Sequence, residues 1–200
     1  FSLSPLLVYS LLFEDSKKIT KWSKNFPSAK NNNNYLNFIA SHDGIGMRPI
    51  EGILDNNTKK KFFQRLKKNG GEFSFRKILG KGKKVYEANI TLFNAFKKSN
   101  IDKNGKFGFE RYFAAHSIMM SFEGVPAIYF NSIFGNSNDN SKYIISGNKR
   151  DLNRYRWNSL KLENHLKDKK SKQNKYYVNM INLLKIRNKQ KAFHPNARRI

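Results

Sequence analysis

Tyr35-Leu36-Asn37-Phe38-Ile39-Ala40 runs directly into Ser41-His42-Asp43-Gly44-Ile45-Gly46. The first six residues form a short apolar run with aromatic and β-branched members, which reads as a buried strand. Two glycines close behind it mark a sharp turn or a close backbone approach. His42 and Asp43 therefore stand at the C-terminal end of a buried strand. In a barrel of alternating strands and helices, that end carries catalytic or substrate-binding groups. On the residues alone, the pair serves equally well to cap a helix or close a turn.

Working outward, Val125-Pro126-Ala127-Ile128-Tyr129-Phe130 reads as a second short buried strand. Pro126 has to lie near its beginning, because proline breaks a central ladder. Three apolar blocks have helical spacing. From Pro5 to Trp22 the residues Leu6, Leu7, Leu11, Leu12, Ile19 and Trp22 share a face, and Pro5 suits a first helical position. From Phe109 onward Tyr112, Phe113, His116, Met119 and Met120 do the same, with Gly124 placed for a left-handed cap. The third runs from Tyr176 to Arg187, with Tyr177, Met180, Ile181, Leu184 and Ile186. Asn25 to Asn34 is polar, contains Pro27 and reads as a loop, as do the segment between the first strand and Phe109 and the segment 131–156. The predicted order is helix, strand, long loop, helix, strand, long loop, helix. Strands separated by helices imply parallel βα units and an α/β fold.

The chain has 200 residues, room for one domain or one and a half, with 38% hydrophobic and 14% aromatic residues. That is enough to build a core. With no cysteine, a disulfide scaffold, a Cys-ligated zinc site and a thiol nucleophile are excluded. The formal charge of +25 raises a nucleic-acid interface. Lys outnumbers Arg 29 to 10, the lysines spread from Lys17 to Lys191, and there are 26 asparagines. Forked phosphate and base recognition favours arginine. The charge therefore reads as compositional drift over a solvated surface, and nucleic acid is not the expected partner. The longest apolar stretch opens at Pro5 and stops at Glu14, far short of the roughly 20 residues of a membrane span. No basic segment precedes it, so it does not read as a signal peptide. The first residue is Phe1, from which a start inside something larger, or processing, is expected.

Other candidates are weighed by spacing. Arg48 beside Pro49 is either a pocket fork for an anion or a surface residue. Arg150, Asp151, Arg154 and Arg156 form a cluster that serves either a site or a loop anchor. Asp102-Lys103-Asn104-Gly105 with Glu110 fails the calcium-loop pattern, because Lys106 and Phe107 stand where a ligand and the turn glycine belong. Gly80-Lys81-Gly82-Lys83 lacks the phosphate-loop spacing. His116 reads as a core residue, His165 as solvated, and His194 has no catalytic partner in sequence. No metal site and no cofactor are expected.

Phe38-Ile39-Ala40-Ser41-His42-Asp43-Gly44-Ile45-Gly46-Met47-Arg48-Pro49 resembles the fourth signature region of glycoside hydrolase family 13, and within it the sucrose phosphorylase branch. Other segments agree in order. Phe1-Ser2-Leu3-Ser4-Pro5-Leu6-Leu7 resembles the stretch after the branch's sixth barrel strand. Gly124-Val125-Pro126-Ala127-Ile128-Tyr129-Phe130 resembles its eighth strand. Arg150-Asp151-Leu152-Asn153-Arg154 is similar to its Arg-Asp-Ile-Asn-Arg loop. Leu184-Lys185-Ile186-Arg187, with Ala192-Phe193-His194-Pro195-Asn196, is similar to the last barrel helix and the lead into a small β domain.

The resemblance implies the C-terminal portion of a (β/α)8 barrel over residues 1–190 and the start of a small β domain over 191–200. It implies retaining transfer of an α-glucosyl unit to inorganic phosphate, through a covalent intermediate between two carboxyl groups. Asp43 corresponds to the transition-state stabiliser and His42 to a neighbour that bonds sugar hydroxyls. Arg150 corresponds to an arginine on the far side of the glucose, with Arg154 as the second assignment. Arg48 is the candidate for an anionic aglycone on sucrose 6-phosphate or glucosylglycerate, and Asp102 matches a mobile-loop position that exchanges acceptor and phosphate. The family's nucleophile and acid/base are expected upstream of residue 1. Two strands cannot close a barrel, so the chain alone is expected to be inactive and poorly soluble. The implied partners are an α-glucoside and phosphate in the cytoplasm, with no membrane and no oligomeric state indicated. The rival readings are a glycosidase or transglucosylase of the same family, a basic nucleic-acid-binding module, and a remnant without catalysis.

Overall fold

The structure is a computed structural model, and it describes residues 2–30, 33–80 and 82–194. The first helix, α1 (Leu3–Phe13), is apolar on every side: Leu6, Leu7, Val8 and Leu12 are all sealed from solvent. A helix with this pattern belongs at the centre of a core. Pro5 lies in its first turn, where no backbone donor is needed.

The single helix expected from Pro5 to Trp22 is two. Glu14 takes a left-handed conformation at φ 53° and its N–H caps the Ser10 carbonyl, which also accepts from Asp15 N–H. Asp15 then accepts from Lys17 N–H and opens α2 (Lys17–Lys24). The Glu14 side chain accepts a 2.6 Å hydrogen bond from the buried Ser99 Oγ. The adjacent acids prefer these caps to helical continuation.

The strand β1 (Leu36–Asn37) is followed by β2 (Ile45–Gly46), a 3-10 turn at Arg48–Ile50 and α3 (Asn56–Lys68). The hairpin β3 (Glu72–Ile78) and β4 (Gly82–Asn89) and the short α4 (Leu92–Phe96) come next. The segment expected as one long loop before Phe109 is therefore largely ordered. Asp55 caps α3 through Thr58 N–H at 2.9 Å, and Thr91 caps α4. The antiparallel sheet runs β2-β4-β3, with a bulge between Ser74 and Phe75.

Next come α5 (Gly108–Ser121) and β5 (Val125–Pro126). The expected parallel pairing is present: Leu36 faces Val125 and Asn37 faces Pro126. Val125 N–H donates to the carbonyl of Tyr35, just before β1, and Ala127 N–H to that of Asn37, at 2.7 Å each. Pro126 falls between those donors, so its missing N–H costs this ladder nothing. Both strands are shorter than the six-residue runs expected. Gly124 does not cap α5, which already ends at Ser121 with Phe122 extended. Its φ of +118° instead lets the chain pass the Tyr35 carbonyl, where a Cβ would sit 2.4 Å away.

The segment 131–156, expected as loop, contains most of α6 (Phe130–Ile133), all of α7 (Asn140–Ser146) and a 3-10 turn at Lys149–Asn153. The chain continues through α8 (Ser159–Lys167) and α9 (Lys172–Lys189) to a 3-10 turn at Lys191–Phe193. Of the β domain expected over 191–200, residues 195–200 lie outside those described. The core joins α1 and α5 with Tyr176 and Met180 of α9, Ile45, and Ala88 of the inserted sheet. His116 is a core residue as read: it is buried on α5, and its Nδ1 bonds the Tyr112 carbonyl. His165 is half-buried rather than solvated, packed edge-on against Trp157.

Candidate active site

The chain leaving β1 is pinned at Ile39, whose carbonyl accepts a 2.6 Å hydrogen bond from Ser4 Oγ of α1. It then turns through Ser41 to Asp43, with Ser41 Oγ accepting from Asp43 N–H. Gly44 has φ +119°, and a Cβ there would stand 2.2 Å from the Ala88 carbonyl. Only glycine permits this approach. It lays the His42-Asp43 loop directly on β4, where Asn89 Nδ2 donates to the Asp43 carbonyl at 2.9 Å.

Three of the residues singled out from sequence converge on one oxygen of the fourth. Asp43 Oδ1 lies 2.8 Å from an Arg154 guanidinium nitrogen, 3.3 Å from Arg150 Nε and 3.3 Å from His42 Nε2. Arg154 Nε also reaches the His42 carbonyl. None of these ion pairs uses Oδ2. Asp43 is about a quarter exposed and His42 is largely exposed, so the cluster meets solvent. Arg150 and Arg154 come from the 3-10 turn and its cap, far along the chain from Asp43.

Next to the cluster opens a cleft of about 590 Å³ whose lining includes Ser41 and Gly44, on either side of His42 and Asp43, with Arg48, Glu51, Tyr86 and Glu87; the four cluster residues themselves do not line it. Two carboxylates line it, and both are committed. Glu87 is buried; its Oε2 accepts from Arg150 Nε at 3.1 Å and from Asn89 Nδ2 at 2.8 Å. The Glu87 hydrogen bond is the main reason Arg150 is held even more firmly charged than usual. Glu51 accepts two bonds from Arg76, at 3.0 and 3.1 Å, which hold its carboxyl below the usual range. Arg48 is exposed and lines the cleft; its carbonyl accepts from Glu51 N–H, while its guanidinium has no hydrogen-bond or ion-pair partner among the described residues.

Asp102 is not brought to this cluster. Its oxygens accept from the N–H groups of Gly105, Lys106 and Phe107, at 2.8 to 2.9 Å, and from Arg111 at 2.8 Å. It closes the turn into α5. Desolvation raises its pKa, and the hydrogen bonds from Phe107, Arg111 and Lys106 outweigh that and hold it at about 2.

Sequence reasoning missed Glu87, Asn89 and Tyr86. In the sequence they show only as Glu87 and Asn89 on either side of Ala88 after Val85-Tyr86, a pattern too short to single them out. The described residues hold no cluster of ligands suited to a metal ion. No helix among them is long and apolar enough to cross a membrane.

No family model matches the chain. It is 33% identical over 98% of its length to a glucosylglycerate phosphorylase of Allomeiothermus silvanus, of which it covers 35%. It is 29% identical to the glucosylglycerate phosphorylase of Escherichia coli, over 98% of this chain and 35% of that one. A sucrose phosphorylase of Bifidobacterium adolescentis is 23% identical over 96% of this chain and 36% of its own. The chain thus spans about a third of the length of these relatives. The crystal structure of sucrose 6F-phosphate phosphorylase from Thermoanaerobacter thermosaccharolyticum superposes with a TM-score of 0.76 at 21% identity, covering 96% of this chain and 36% of that one. That likeness makes the fold a portion of the same barrel.

Proposed function

We propose that this chain, whose homologues along nearly its whole length are glucosylglycerate, glucosylglycerol and sucrose phosphorylases, supplies one wall of the glucosyl site of an α-glucoside phosphorylase. The observation that carries the reading is the Asp43 carboxylate, gripped at Oδ1 by Arg150, Arg154 and His42 beside an open cleft.

Cleaving a glucosidic bond with retention builds positive charge on the sugar ring. A carboxylate fixed in advance stabilises that charge without reorganising, which lowers the barrier selectively. The two arginines and the Asn89 bond to its backbone fix Asp43. Its Oδ2 is left to accept sugar hydroxyls, with His42 as a second hydrogen-bonding group and Arg150 bounding the site. Glu51 and Glu87 are each tied to an arginine, so the nucleophile and the acid/base are assigned to residues outside this chain. Residues 1–190 are assigned to the barrel and 191–200 to the lead into a further domain.

Arg48 fits an anionic aglycone: it is an unpaired guanidinium on the cleft rim, next to the Arg76–Glu51 pair. Glucosylglycerate and sucrose 6-phosphate are therefore preferred over sucrose as donors. Asp102, with its oxygens already engaged, is assigned a structural part rather than acceptor exchange. A phosphate-consuming reaction on small sugars supports a cytoplasmic location as part of this proposal. The test is phosphate-dependent release of glucose 1-phosphate from each of the three donors by the protein that contains this chain. Release of free glucose without phosphate would favour a glycosidase instead.

A further inference from the structure

Arg154 makes the shortest of the three contacts to Asp43 Oδ1, 2.8 Å against 3.3 Å for both Arg150 and His42. It stands at the C-terminal cap of the 3-10 turn Lys149–Asn153, a form of helix whose own hydrogen bonds are poorly aligned. A guanidinium on such a turn is fixed in advance only if the backbone beneath it is held from elsewhere.

That backbone is held on both sides of Arg154. Tyr129 Oη donates to the Asn153 carbonyl at 2.7 Å, and Asn131 Nδ2 donates to the Tyr155 carbonyl at 3.0 Å. The two side chains are themselves joined, since Asn131 Nδ2 also donates to Tyr129 Oη at 3.1 Å. A hydroxyl that accepts one bond while donating another is polarised by the first and strengthens the second. Burial raises the Tyr129 pKa, so the phenol keeps the proton it donates. Asn131 is buried, and its Oδ1 accepts from Asn136 Nδ2 at 3.3 Å, which fixes the way its amide faces.

Tyr129 caps α6 and Asn131 lies in its first turn, just past β5. β5 is the strand paired with β1, which leads into Asp43. Both members of the Arg154–Asp43 pair are thus referred to one parallel ladder. Asp43 is reached through the chain leaving β1, and Arg154 through two side chains that follow β5. Asn153 closes the frame: it is 2% exposed, and its Nδ2 lies 3.4 Å from the Asp43 carbonyl.

We infer that Tyr129 and Asn131 are positioning residues for glucosyl transfer, holding the carbonyls on either side of Arg154 and so setting the guanidinium that grips Asp43. The inference rests on the assignment of Asp43 to the glucosyl site.

The measurement is kcat for phosphate-dependent release of glucose 1-phosphate by the protein that contains this chain, with whichever of the three donors it turns over fastest. Tyr129→Phe removes the hydroxyl and leaves the ring, and is expected to lower kcat about three- to tenfold. Asn131→Ala lowers it about tenfold or more. Beside Arg154→Ala, neither substitution lowers kcat further by more than about twofold, because the group they position is gone. A purely structural role would lower kcat by the same factor in both backgrounds. The inference is overturned if either variant keeps kcat within about twofold of the parent, or if its loss persists in full beside Arg154→Ala. Should Asn131→Ala fail to fold, Tyr129→Phe decides alone. Asp43→Asn tells this failure from that of the reading beneath it. An unchanged kcat in Asp43→Asn, or no glucose 1-phosphate from any donor, overturns both. A fall in Asp43→Asn with no fall in Tyr129→Phe overturns the positioning role alone.

Discussion

Glu87 Oε2 lies 3.1 Å from Arg150 Nε, the same nitrogen that stands 3.3 Å from Asp43 Oδ1. One guanidinium thus couples the buried carboxylate of Glu87 on β4 to the partly exposed carboxylate of Asp43.

This coupling makes Glu87 a positioning residue. Glu87→Ala leaves Arg150 without its buried counter-charge and Asn89 Nδ2 without one acceptor. The expected loss is about 1–3 kcal/mol of stability, read as a lower urea midpoint. Glu87→Gln keeps the hydrogen bonds to one face and loses less. If both variants unfold at the parent midpoint, the coupling has no energetic content.

Asp43→Asn keeps the shape of the loop and removes the charge. In the protein containing this chain, kcat for glucosyl transfer is expected to fall about 100- to 1,000-fold, with the thermal midpoint little changed. Steady-state kinetics on both proteins check this, and equal kcat values would remove Asp43 from the chemistry.

Asp102 predicts an acid limb in stability. Its folded carboxyl sits at about 2 against an ordinary value of 3.8. The folded state holds the charged form more tightly, so this contribution is complete above pH about 4 and is lost as pH falls toward 2. Asp102→Asn flattens that limb. Unfolding midpoints measured across the window check it.

His116 acts in a higher window. Burial lowers its pKa from 6.5 to about 4, opposed by its bond to the Tyr112 carbonyl. Below pH 6.5 the unfolded chain takes up a proton that the folded one refuses, so stability falls from pH 6.5 down to about 4. His116→Gln keeps an N–H donor and removes this slope. An unchanged slope in that variant would place its origin elsewhere.

Asn138 ties three segments together. Its Oδ1 accepts from Thr91 N–H and Thr91 Oγ1, at 2.9 and 3.0 Å, while Nδ2 donates to the Gly70 carbonyl at 2.8 Å. Asn138→Leu strands these buried groups, with an expected loss of about 2–4 kcal/mol by chemical denaturation.

The parallel β1–β5 pair and the helices around it were legible because continuous apolar runs and 3.6-residue spacing survive in Leu36 to Ala40 and Tyr112 to Met120. The inserted hairpin was not. Its strands carry Lys77, Lys83 and Lys84, and full burial is confined to the end of β4, Glu87 to Asn89, so no alternation along their length marks an inner side. The break at Glu14 was hidden because it rests on a left-handed backbone at a non-glycine residue, with the Glu14 and Asp15 N–H groups on the Ser10 carbonyl, a stop that no glycine or proline marks. At the site, His42 and Asp43 were legible from their place after a strand. Glu87 was not, since its meaning comes from Arg150, which reaches it only through tertiary folding.

The two sheets also differ in how they can form. The β3–β4 ladder closes around Gly80, a local turn of the kind that forms within about 1–10 μs. The β1–β5 ladder joins Leu36 to Val125, so its closure spans a far longer stretch of chain and is expected to be slower than that of the hairpin. The strand that leads into Asp43 is therefore held by a non-local pairing, while the strand that carries Glu87 is held by a local one.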